Sequence, residues 1–78
     1  MRPPNPERRI SALRDFLNTG TPDKTKQGVP VLRLAGMTAC YFGRSEKFRL
    51  FDDNYIKLAD FDDTEEGRQA LADFIKER

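Results

Sequence analysis

The stretch Lys47-Phe48-Arg49-Leu50-Phe51, interrupted by Asp52-Asp53-Asn54 and resumed by Tyr55-Ile56-Lys57-Leu58-Ala59, decides the fold. Its apolar and polar residues alternate with the period of two at which side chains leave opposite faces of a β-strand. Asp and Asn between the halves are turn formers, because their short side chains bond to nearby backbone groups. Two antiparallel strands are predicted. Phe48, Leu50, Ile56 and Leu58 point one way, and Lys47, Arg49, Phe51, Tyr55 and Lys57 the other.

Working outward toward the N-terminus, Gly43-Arg44-Ser45-Glu46 reads as a hairpin turn preceded by the strand-like segments Val29–Ala35 and Met37–Phe42. Gly36 lies between them and fits either a turn joining two strands or a bulge in one bent strand. Leu32 and Leu34 join the apolar face, Val31 and Arg33 the basic one. Residues 19–28 hold no apolar side chain and are rich in turn formers, so they are expected to be a mobile surface loop.

Both ends read as helices. Asn5 caps and Pro6 starts a helix over residues 6–18, since proline at the first helical position forfeits no hydrogen bond. Ile10, Leu13, Phe16 and Leu17 form its apolar stripe; Arg8, Ser11 and Asp15 face away. Residues 1–5, with Pro3-Pro4, read as an extended arm. At the other end Asp63 is expected as N-cap, with Glu66 completing a capping box. Gly67, Ala70, Leu71, Phe74 and Ile75 form the buried face, the two small residues allowing close approach to the sheet. The fold class is therefore α+β in a single domain over residues 1–78. It is a two-layer sandwich with an N-terminal helix, an antiparallel three- to four-stranded meander and a C-terminal helix (α-β-β-β-(β)-α), both helices on the apolar face.

With 78 residues, 35% of them charged, a thin core is expected, and a chain with so little self-burial often gains stability from a dimer or binding partner. Cys40 is the only cysteine, which precludes an internal disulfide and, with no histidine present, a zinc site of the usual ligands. Residues 1–9 lack the apolar core of a signal peptide and no apolar run approaches a membrane span, so a cytoplasmic protein without membrane contact is expected.

The absence of histidine removes the commonest general base and the usual partner of a nucleophilic Ser or Cys. No phosphate-binding glycine loop is present; Lys24 and Lys26 lie in a loop without its spacing. Cys40 sits mid-strand, where a small buried thiol is ordinary. The acids from Asp60 to Glu66 lack the glycine and terminal glutamate of a calcium loop, and capping accounts for Asp63, Glu65 and Glu66. No catalytic residue, metal site or cofactor is predicted.

Net charge is +1, but residues 1–49 hold ten Lys/Arg against four Asp/Glu, and residues 50–78 hold four against nine. Two partner-binding surfaces follow as expectations. One is the basic sheet face of Arg33, Lys47, Arg49, Phe51, Tyr55 and Lys57, which offers cations for phosphates and rings for stacking. The other is an acidic rim of Asp52, Asp53, Asp60, Asp62 and Asp63 at the opposite electrical pole.

The segment Phe61-Asp62-Asp63-Thr64-Glu65-Glu66, after three strands and before a helix, resembles the AP2-type DNA-binding domains over residues 41–75. That resemblance implies DNA reading by the sheet, although Asp60 stands where the family has glycine. The helix, three strands, helix order is similar to a double-stranded-RNA-binding domain, whose lysine cluster opening the second helix is replaced here by acids.

A small, motif-free, charge-segregated domain matches the general character of phage-type accessory inhibitors, immunity proteins and antitoxins. The expected function is regulation or inhibition of a protein partner through charged surfaces. Nucleic-acid binding through the basic face is the alternative.

Overall fold

A computed structural model describes residues 5–77 of the chain; residues 1–4 of the expected N-terminal arm lie outside the described residues. Helix α1 (Pro6–Leu17) leads into strands β1 (Thr21–Lys24), β2 (Pro30–Leu34), β3 (Met37–Phe42), β4 (Lys47–Asp52) and β5 (Lys57–Asp62), and helix α2 (Glu65–Lys76) closes the chain. The strands form one antiparallel sheet in chain order, a simple meander. The α+β layout of helix, meander and helix is the one the sequence predicts, with five strands in place of three or four.

Local chemistry explains most boundaries. The Asn5 side chain accepts a hydrogen bond from the Glu7 N–H at 2.9 Å, and Pro6 occupies the first turn. The helix stops at Asn18, which adopts left-handed backbone and donates its N–H to the Arg14 carbonyl. Ala35 and Gly36 form a two-residue turn with Gly36 at φ +70°, a conformation that glycine adopts without steric cost. Residues 29–42 thus contain two strands, not one bent strand.

Ile10 and Leu13 of α1, Leu71 of α2 and Leu32, Met37, Ala39, Tyr41, Phe48 and Leu50 of the sheet make the core. Leu34, Leu58, Phe61, Phe74 and Ile75 pack around it. Both helices therefore cover one sheet face. Gly67 is what lets α2 start so near β5, because a Cβ at that position would overlap the Asp62 carbonyl group. Ala70, expected beside it on the buried face, is exposed, and so is Phe16 of α1, whose ring instead lies 5.7 Å from the Arg68 guanidinium.

Four features depart from the sequence-based expectation. First, residues 19–28 are not one loop: Thr21–Lys24 pair with Arg33–Pro30 as an edge strand. All four are exposed, so no apolar pattern marks them. Thr25–Val29 then form a turn closed by its own hydrogen bonds, with Thr25 N–H donating to the Val29 carbonyl and Val29 N–H to Thr25 Oγ1.

Second, the N-cap of α2 is Thr64, whose Oγ1 accepts from Gly67 N–H at 3.0 Å. Asp63 is instead drawn inward by Arg9 and Arg68.

Third, β5 starts at Lys57, two residues after the predicted start. Tyr55 and Ile56 belong to the preceding turn, and Ile56, expected in the core, is 61% exposed.

Fourth, β5 carries a bulge. Leu50 pairs with Ala59 but Phe51 pairs with Lys57, so Leu58 is an extra residue on β5. An extra residue reverses the phase of everything beyond it. Ala59 and Phe61 therefore face the core, opposite Leu50 and Phe48, and Phe61 meets Phe74 edge-on at 5.7 Å. Without the bulge Asp60 and Asp62 would point into the core and Phe61 into water, an arrangement that burial of charge forbids.

Candidate functional surface

The sheet face turned away from the helices carries Arg33, Lys47, Arg49, Phe51 and Lys57 as predicted, and Tyr55 borders it from the β4–β5 turn. The bulge adds Asp60 and Asp62 to the same face. Arg49 and Asp60 are direct cross-strand partners, with Nε 2.7 Å from Oδ1. Lys57 reaches the other oxygen of Asp60 at 2.9 Å, and Lys47 lies 3.6 Å from Asp62. The Arg49 and Lys57 hydrogen bonds hold the Asp60 carboxyl below the usual carboxylate range. Basic face and acidic rim are thus not separate poles. Acids and bases that stand apart in the sequence alternate along one surface, because antiparallel pairing brings residues 47–49 against residues 60–62.

Arg33 is held in the same way from the other side. Its Nε donates to Asp23 of β1 at 3.2 Å, and its Nη1 donates to Thr38 Oγ1 at 3.1 Å and to the Tyr55 hydroxyl at 3.0 Å. Those bonds to Tyr55 and Asp23 stabilise the charged guanidinium. The Lys24 N–H, followed by the Arg33 side chain, keeps the Asp23 carboxyl below its ordinary value. Tyr55 also stands 6.5 Å from the Phe51 ring, centroid to centroid. Its backbone is left-handed, with φ +59°.

The remaining rim acids do other work. Asp52 accepts from the N–H groups of Asn54 and Ile56 and so closes the β4–β5 turn. Asp53 is exposed in that turn. Asp63 has an 8% exposed side chain that accepts from Arg9 at 2.8 Å and Arg68 at 2.6 Å, tying α1 to the start of α2. The hydrogen bond to Asp63 in turn raises the Arg9 pKa. Asp63 is a structural anchor and not a surface acid.

The sequence did not mark three participants on the open face. Phe42 is partly exposed, with the Arg49 guanidinium 4.6 Å above its ring. Val29 and Cys40 help line a hollow of about 560 Å³ between the Thr25–Val29 turn and the Phe51–Tyr55 pair. Burial pushes the Cys40 thiol above its ordinary pKa, against the opposing pull of Arg33 and Arg49. One signal was present in the chain: Val31 and Cys40 alternate onto the supposedly basic face, and apolar neighbours there mark a partly covered floor.

Among the described residues no group of three or more His, Cys, Asp or Glu is placed to hold a metal ion, and no helix is long and apolar enough to cross a membrane. No protein-family model, curated protein or solved structure matches the chain.

Proposed function

We propose that this chain is a small binding protein that docks a protein partner on its open sheet face and acts as an accessory regulator or inhibitor of that partner. The pre-paired charge of this face supports the reading. Arg33, Lys47, Arg49 and Lys57 already face Asp23, Asp60 and Asp62, while Tyr55 and Phe42 stay 54% and 40% exposed among them. Tyr and Arg held in fixed geometry are the side chains that carry most binding energy in protein interfaces, because little further ordering is needed on contact. Alternating charges add specificity for a complementary partner.

The nucleic-acid alternative needs cations free to displace counterions from phosphate. On this face the central cations are committed to carboxylates, and a polyanion would meet Asp60 and Asp62 on its path. The same pairing therefore favours protein over nucleic acid.

The test is photo-crosslinking in extract of the native host, with a benzophenone amino acid replacing Phe42 on the open face or Ser11 on the outer face of α1. A discrete protein adduct from position 42 and none from position 11 is expected. Adducts from position 11 alone, or tight duplex DNA binding at low salt that Arg49→Ala removes, would overturn the reading.

A further inference from the structure

The hollow on the open face permits a more specific statement, which rests on the protein-binding reading and names the partner's chemistry. We infer that it receives one large apolar side chain from an acidic peptide segment. Three observations carry this.

The hollow, at about 560 Å³, has room for more than one ring, and its walls are Val29, Phe51 and the exposed Tyr55, with the Cys40 thiol at the sheet. Apolar walls with a few fixed polar groups are the usual make-up of a binding concavity. Its edges are also built. The Thr25–Val29 turn is closed by its own hydrogen bonds, and Arg33 fixes Tyr55 at 3.0 Å.

The rim is basic and uncompensated. Lys24 and Lys26 border the hollow, and neither forms an ion pair among the described residues. Asp23, the nearest acid in sequence, is engaged by Arg33 and by the Lys24 N–H. Carboxylates flanking the inserted side chain would meet both lysines without displacing an existing partner.

The surroundings restrict the length of the anion. Across the sheet stand Asp60 and Asp62, and beyond them Glu65 and Glu66 open α2. Lys47, Arg49 and Lys57 on that side are already paired with Asp60 and Asp62, so an extended polyanion such as single-stranded nucleic acid would find those cations occupied, whereas a short acidic segment needs only Lys24 and Lys26.

The experiment selects random dodecapeptides displayed on phage against the full chain, then maps synthetic copies of the enriched peptides by amide NMR shifts. Enrichment of Asp and Glu around one Phe, Leu or Trp is expected, with shifts at Val29, Cys40 and Tyr55. The double variant Lys24→Glu/Lys26→Glu, which alters only exposed residues without ion-pair partners, should bind about tenfold more weakly or worse.

Peptides without excess acid, or unaffected by the double variant, would overturn the assignment. So would a fluorescent oligothymidine that shifts the same amides. Peptides that shift Phe42 and Arg49 while leaving Cys40 unmoved would overturn the hollow but keep the protein-binding reading. Failure of both this selection and the position 42 crosslink would remove both.

Discussion

Arg49 and Asp60 lie directly opposite each other on β4 and β5, with Nε 2.7 Å from Oδ1, and this contact exists only because Leu58 bulges out of register. The sign of its pH dependence follows from linkage. Asp60 has a folded pKa lowered by Arg49 and Lys57, so its contribution to stability is complete above the unfolded value, about 3.9 for Asp, and is lost as pH falls through the depressed folded value. Thermal unfolding followed over the acid range should show stability declining below about pH 4. Asp60→Asn should flatten that decline, and an unchanged slope would show that Asp60 is not its source.

Gly67→Ala should destabilise the protein although alanine is the better helix former by about 1 kcal/mol. The added methyl overlaps the Asp62 carbonyl, which is backbone and cannot rotate away. Overpacking against a fixed group costs about 1–3 kcal/mol or more, so the net loss should be visible as a lower urea midpoint. A midpoint at or above wild type would mean that α2 can slide off β5.

Asp63 and Tyr41 form a contrasting pair. Removing Asp63 leaves Arg9 and Arg68 without their shared carboxylate, and Asp63→Ala should cost roughly 2–3 kcal/mol. The Tyr41 hydroxyl is buried near the same carboxylate with at most a weak, poorly aligned hydrogen bond to it, and burial, ahead of the Asp63 charge, raises its pKa. Tyr41→Phe should therefore change stability by less than about 1 kcal/mol, in either direction. Chemical denaturation of both variants checks the order; a larger loss in Tyr41→Phe would reverse it.

Glu46 has φ +50° at the end of the β3–β4 turn, where its carbonyl accepts the Asp63 N–H and its side chain is exposed. Glycine, which has no Cβ to meet the backbone, takes that conformation without steric cost. Glu46→Gly should stabilise by about 0.5 kcal/mol, because relief of strain outweighs the added freedom of the unfolded chain. Calorimetry should record a higher melting temperature, and a drop would show that the turn carries no strain.

Local chemistry alone determined much of this protein. Asn5 and Pro6 start α1, and alternation places Leu32, Leu34, Phe48 and Leu50 on one face. Each of these depends on a residue and its neighbours within a turn or two. Only tertiary structure decided that Leu58 bulges, that Thr21–Lys24 become a strand, that Thr64 takes the cap from Asp63, and that Asp60 and Asp62 stand among the cations. Register is a property of two strands together, and a single extra residue exchanges the faces of everything after it. Charges that are separated along the chain thus become neighbours across a sheet, and the open sheet face is a mixed one with a basic-rimmed hollow.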